Sequence, residues 1–268
     1  MVEQLTYEST WDVPNTWLQG RGVWGGLPIH TIVDAVVHNE EARREVRSIT
    51  LQIPEPVLAE KHRVLTRLIR RGSAMSMWQV DIIRESENLT VAFGQVVTGE
   101  DKDLEFDPPA ATWGTAVCPQ VPAFDQVGIA PIRPPFGPEF GQHLEFRPIT
   151  PLPTTGTEAL VYGWINLPQR TEVGAHWTAA QLLSTVDAWW PSPYTLMKSM
   201  RPVATVSFSA NLLVDPESIE PIGGERSPLL HESSVSSVHG GFMSELRRLW
   251  TPDGRLAVEN LQSIMVIK

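Results

Sequence analysis

A single cysteine, Cys118, is present among 268 residues. It excludes an internal disulfide, and one thiol does not make a metal site. Nothing here points to an oxidising compartment. Positive charge is also short: 21 Lys and Arg stand against 31 Asp and Glu, for a formal net charge of −10. Bulk charge therefore does not draw the chain to nucleic acid. Long apolar runs are missing, since no window approaches the ~18 residues that a membrane-spanning helix needs. The opening MVEQLTYEST lacks the basic and apolar stretches of a signal peptide. A cytoplasmic setting is the expectation. Nor is there a Gly-x-Ser-x-Gly elbow to present a nucleophilic serine. What is present is ordinary globular composition, 42% hydrophobic and 19% charged, enough to bury a sizeable core. Ten tryptophans stand out. They suit core filling and oligomer contacts, or an aromatic-lined pocket.

Proline punctuates the stretch from about Asp101 to Phe140 too often for a helix or a central strand. The stretch reads as a surface linker, and one that packs, because it carries Trp113, Phe124, Phe136 and Phe140. The expected division is a domain over 1–100, a linker over 101–140 and a second domain over 141–268. The two flanking pieces repeat each other. Trp24 to Asp34 matches Trp177 to Asp187, a spacing of ten in both. Gly72, Met75 and Ser76 match Gly240, Met243 and Ser244, and Leu89, Val91 and Gln95 match Leu256, Val258 and Gln262. Three matches in one order argue for a duplicated unit of about 100 residues, too long a period for a solenoid.

Each unit reads as a leading strand (5–13; 159–167), a helix (25–39; 178–190) and then a run of alternating strands. Hairpin signals fall at Arg71-Gly72-Ser73, His239-Gly240-Gly241 and Pro252-Asp253-Gly254. The first helix is apolar on most sides, through Ile29, Ile32, Val33, Val36 and Val37, as suits a helix wrapped by sheet. One helix followed by antiparallel strands is an α+β layer. The expected fold is a tandem, or double, hot dog: two long helices, each wrapped by antiparallel strands of one shared sheet.

Asp187 sits in an apolar run, LLSTVDAWWP, with Leu183, Ser184 and Trp190 as helical neighbours. A carboxylate there loses hydration and is costly unless bonded. Either it caps a loop or pairs with an arginine, or its environment has been set for chemistry. Thr205 and Gln262 fall on strands of the same half, where alternation can place a polar side chain beneath the helix. Each alone is commonplace. Together with the Asp they make a water-holding cluster: a carboxylate to take a proton, a hydroxyl and an amide to orient the water.

These residues resemble the acyl-CoA thioesterase II family of double hot-dog hydrolases, over nearly the whole chain. Val23-Trp24-Gly25-Gly26 and Leu68 to Ser76 carry the likeness in the first half. Leu182 to Asp187, Ala204 to Ser207 and Gly254 to Gln262 carry it in the second. The resemblance implies hydrolysis of an acyl-CoA or other acyl thioester, without metal or cofactor, by a water held between Asp187, Thr205 and Gln262. Ser207 is an alternative to Thr205. A helix start offers free N–H groups and a favourable dipole to an oxyanion, which assigns that role to Gly25 and Gly26. The first half keeps Asp34 and Gln95, with Thr50 nearby, as a possible remnant site. A homo-oligomer is expected.

Other signals carry less. Gly20-x-Gly22-x-x-Gly25 lacks the preceding strand and βαβ context of a dinucleotide site. His30, Asp34 and His38 share a helix face and could serve a metal or a hydratase-type acid/base pair. Arg43, Arg44 and Arg47 suit a solvated surface or a phosphate contact. A hydratase or dehydratase on the same fold, and a non-catalytic acyl-thioester-binding module, remain the competing functions.

Overall fold

The computed structural model describes residues 5–41, 43–102, 105, 114, 116–150, 152–168 and 174–267. In the first half, β1 (Thr6–Asp12) and a small hairpin of β2 (Leu18–Gln19) and β3 (Gly22–Val23) precede α1 (Gly26–Asn39). Then come β4 (Glu45–Gln52), β5 (Lys61–Arg71), β6 (Met75–Arg84) and β7 (Leu89–Gly99). The second half runs β8 (Glu145–Pro148), β9 (Leu160–Asn166), α2 (Ala179–Thr185), β10 (Val203–Leu212), β11 (Leu229–His239), β12 (Phe242–Trp250) and β13 (Leu256–Val266). Eleven strands form one antiparallel sheet in the order β1-β5-β6-β7-β4-β10-β13-β12-β11-β9-β8.

Apart from the added edge strand β8, that order reads the same from either end once β10, β13, β12, β11 and β9 are set against β4, β7, β6, β5 and β1. The duplication is thus built into the sheet, and the halves join where β4 pairs β10. Thr50 lies opposite Ser209 at that seam, flanked by Gln52 opposite Ser207 and Ser48 opposite Asn211. The core is the helix side of the sheet. Ile29, Ile32, Val33 and Val36 of α1 are buried there with Ile49, Trp78, Val80, Ile82 and Val96. The α+β hot-dog arrangement is therefore present. Val37, expected to be enclosed, is exposed, and α1 packs on α2 as well as on β4–β7.

The expectation of two long helices is corrected. α1 has 14 residues, but α2 has only seven rather than running from Thr178 to Trp190. Its start is well made, a capping box in which Thr178 and Gln181 each satisfy the other's backbone N–H. Its end follows from Pro191. Proline has no N–H, its ring would clash with the Asp187 carbonyl, and it disfavours helical geometry at Trp190. The chain tightens instead, with Asp187 N–H donating to the Ser184 carbonyl at 3.1 Å and Ala188 N–H to that of Thr185 at 3.0 Å. Asp34 and Asp187 each lie eight residues beyond the first residue of their helix. Only Asp34 is still helical.

The match of Gln95 with Gln262 is also corrected, by strand register. Both strands carry a bulge near their start, at Val91 in β7 and at Ala257 in β13. Beyond it the buried rows are Ala92, Gly94, Val96 and Thr98 in one, and Val258, Asn260, Gln262 and Ile264 in the other. Gln262 therefore corresponds to Val96. Gln95, one residue off, points to the other face of the sheet, as a single-residue slip requires.

The described part of the linker packs on β9, β11 and β12. Phe124 meets Trp164 edge-on, Arg147 donates to the Phe124 and Val127 carbonyls, and Trp164 Nε1 donates to the Pro122 carbonyl. Phe140 is buried, but Phe136 is exposed, contrary to expectation. Trp113 lies outside the described residues.

Candidate active site

The tight turn after α2 aims Asp187 into the junction of the two halves. Its backbone carbonyl, released by the helix end, accepts from Trp24 Nε1 at 3.1 Å. Its carboxylate reaches the start of α1, where a Cβ added to Gly25 would lie 2.6 Å from Asp187 Oδ2. Glycine is needed at 25 for this approach and not for its backbone, which is helical at φ −59°. At Gly26 the close neighbour is the Trp24 ring. The N–H groups of Gly25 and Gly26 have no backbone acceptor among the described residues.

Gln262 is buried on β13, opposite Phe208. The amide orientation that satisfies both its neighbours turns its oxygen to Arg247 Nε (2.8 Å) and Nη2 (3.0 Å), and its nitrogen to Asp187 Oδ1 (3.2 Å). Thr205 stands half-buried on β10 opposite Ile264, just before a bulge at Val206. It faces the same side as Gln262 on the neighbouring strand, one diagonal step away. Such neighbours stand roughly 7–8 Å apart. Among the described residues the Thr205 hydroxyl makes no hydrogen bond to either partner. Ser207, beyond the bulge, lines the other face of the sheet.

Two residues that the sequence reading missed complete the site. Arg247 Nη1 lies 3.4 Å from Asp187 Oδ1, and Arg247 Nη2 lies 2.8 Å from Glu245 Oε2. Burial pushes the Asp187 carboxyl up, Arg247 opposes the rise, Glu245 adds to it and the Gln262 hydrogen bond lowers it, leaving a pKa of about 6. The signal was in FMSELRRLW. Met243, Glu245, Arg247 and Leu249 alternate on one face, so two charges share a row with apolar residues.

The first-half residues do not assemble in the same way. Asp34 is exposed on α1, and Gln95 and Thr50 lie on the outer face of the sheet. There they line a concavity of about 370 Å³ with Gln52, Gln79 and Ser209, none of which ionises. A smaller cavity, of about 140 Å³, is lined by Trp17, Trp24, Leu27, His30, Leu167, Ser184 and Thr185. It adjoins Asp187 through Trp24, whose Nε1 donates to the Asp187 carbonyl. One wall is a stack in which Trp17 lies on His143 (4.1 Å), Trp24 on Trp17 (5.7 Å) and Phe140 on Trp24 (5.2 Å).

The remaining signals find local explanations. Gly20, at φ +78°, turns the β2–β3 hairpin. His30 is lodged near Ala180, and burial lowers its pKa; His38 is exposed. Among the described residues no three His, Cys, Asp or Glu are grouped to hold a metal ion. Arg44 is buried rather than solvated, donating to Ser76 and the Gly72 carbonyl, while Arg43 and Arg47 pair with Glu100 and Asp101. No helix among the described residues is long and apolar enough to cross a membrane.

Comparison with known proteins agrees with the fold and the two-part chain. A model of the acyl-CoA thioesterase N-terminal domain matches residues 13–99, and one of the acyl-CoA thioesterase C-terminal domain matches 116–266. No curated protein matches the chain. Among solved structures, a conserved protein of unknown function with a hot-dog fold from Alicyclobacillus acidocaldarius is 19% identical, with a TM-score of 0.83 over 98% of this chain and 93% of that one. A tesB protein of Mycobacterium avium subsp. paratuberculosis is 12% identical, with a TM-score of 0.74 over 98% and 94%. An acyl-CoA thioesterase II from Mycobacterium marinum is 12% identical, with a TM-score of 0.66 over 97% and 92%. At these identities the likeness shows the fold.

Proposed function

The chain belongs to the acyl-CoA thioesterase family, and from that premise we propose that it hydrolyses acyl-CoA-type thioesters with a water held by Asp187, Thr205 and Gln262. Family and fold support thioester hydrolysis in general. The residue-level reading is carried by one observation: a buried carboxyl with a pKa of about 6, bonded to Gln262 and set against the start of α1. Such a group is largely ionised at neutral pH and still basic enough to take a proton, a role worth roughly 10²–10⁴-fold in rate.

Asp187 accepts a proton from the water, whose oxygen attacks the thioester carbonyl carbon. The carbonyl oxygen becomes an oxyanion, received by the Gly25 and Gly26 N–H groups with the helix dipole behind them. The C–S bond then breaks, and the proton passes from Asp187 to the thiolate. Carboxylic acid and free thiol leave. Thr205 and Gln262 orient the water. The setting is the cytoplasm and the assembly a homo-oligomer.

A hydratase would need His30 and Asp34 as its working pair, and the exposure of Asp34 does not favour it. Mass spectrometry of a mixed acyl-CoA panel after incubation tests the reading. Free acid and CoA are expected. Water-adduct products would replace hydrolysis by hydration, and an unchanged panel that co-purifies with the protein would leave binding alone.

A further inference from the structure

Glu245 and Arg247 form an ion pair inside the core, their side chains 0% and 2% exposed. Glu245 accepts from Arg247 Nε at 2.9 Å and, through its other oxygen, from the Ser192 N–H. Removing two charges from water costs roughly several kcal/mol per ion. The sheet itself does not require that cost. With Gln262 corresponding to Val96, strand pairing sets Glu245 against Trp78 and Arg247 against Val80. All three first-half residues are apolar and fully buried, and that half builds the same five strands. The charged pair occurs only in the half that carries Asp187.

We propose that Arg247, clamped by Glu245, is a positioning residue that fixes the Asp187–Gln262 pair and leaves Asp187 Oδ2 as the proton-accepting atom. This rests on Asp187 being the base. A guanidinium has donors only. Facing Gln262, it admits the amide oxygen alone, which commits the amide nitrogen to Asp187 Oδ1. Arg247 Nη1 approaches that same Oδ1 and the Val186 carbonyl. Oδ1 is thereby engaged by two donors. Oδ2 is the oxygen that lies against Gly25, where water and oxyanion would meet. The charged groups that act on the carboxyl are Arg247 and Glu245 from β12, and His231 from β11 bears on Arg247. Burial and Arg247 push the His231 pKa well down, so it stays neutral. β13 offers Gln262 and the start of α1 offers Trp24 and Gly25, none of which titrates.

The test is a set of pH–rate profiles of thiol release. Arg247→Met should move the acidic limb up by about one pH unit or more and lower kcat about tenfold or more. Glu245→Gln keeps one acceptor oxygen and drops the charge, so its limb should move down. Arg247→Lys keeps the charge without the fork: its limb should stay near that of the parent while kcat falls. Should the single variants fail to fold, the double variant Glu245→Leu/Arg247→Met copies the apolar first half. It should melt no lower than the parent yet lose about tenfold or more in kcat. Unmoved limbs in Arg247→Met and Glu245→Gln, or parental kcat in Arg247→Lys or in the double, would overturn the proposal. Carbon-13 titration of the Asp187 carboxyl, without substrate, should shift in the same directions. If the parent releases no thiol from any thioester, the hydrolysis reading fails while this titration still judges the clamp.

Discussion

Asp187 is expensive to the fold, and the sign of that expense is testable. Its carboxyl stands near 3.8 in an unfolded chain and at about 6 in the folded one. Between those values the unfolded chain releases its proton while the folded protein keeps it. Stability therefore falls as pH rises through that window, by about 3 kcal/mol, and stays level above it. Asp187→Asn lacks this loss. At pH 8 it should melt no lower than the parent, by calorimetry, while turnover falls roughly 10²-fold or more. In the parent, kcat/KM should rise with pH through about 6, as the base ionises. Gly25→Ala is a gentler probe. Its backbone angles suit alanine, but the new Cβ would meet Asp187 Oδ2 at 2.6 Å. The carboxylate must move, so kcat should drop at least about tenfold with a folded circular-dichroism spectrum. At this scale Asp187 stood out from its apolar neighbours in the chain, whereas Gln262 and Gly25 were reached through the family resemblance. Glu245 and Arg247 were overlooked, although their alternation with Met243 and Leu249 announced them.

At the scale of elements, composition identified strands and helices but not the lengths and bulges that decide which way a residue points. Thr178 to Trp190 reads as one apolar helix, and Pro191 ends it early. Gln95 and Gln262 sit four residues after a buried valine in both halves. The β7 bulge falls on that valine and the β13 bulge one residue before it, so the two glutamines face opposite sides. Spacing alone holds no record of such an offset. The C-terminal end of α1 offers its own test. Glu40 accepts from Trp78 Nε1 (2.7 Å), Arg71 Nη2 (2.8 Å) and the Thr98 hydroxyl. Burial alone would raise its pKa; hydrogen bonds from Thr98, Trp78, the Glu41 N–H and Ser76 outweigh it and hold it at about 2. The stabilisation is present above about 4.5 and lost as pH falls toward 2. Glu40→Gln should cost about 1–3 kcal/mol at pH 7, and its melting temperature should approach that of the parent at pH 3.

At the scale of the whole molecule, the duplication was legible as three ordered matches, and the sheet order repeats it, although both strand matches slip by one residue: Ser76 corresponds to Met243, as Val96 does to Gln262. What the matches concealed is divergence. Val96, Trp78 and Val80 fill the first half where Gln262, Glu245 and Arg247 occupy the second, and this asymmetry gathers the buried polar and charged groups of these rows in one half. Light scattering should show a homo-oligomer of the 29.8 kDa chain, and a clean monomer would reject that part of the proposal. The most direct test of the central claim is free thiol release from a medium-chain acyl-CoA, with Asp187→Asn and Asp34→Asn run beside the parent. The account predicts roughly 10²-fold or greater loss in Asp187→Asn and parental rates in Asp34→Asn. Equal losses in both, or loss in Asp34→Asn alone, would contradict it.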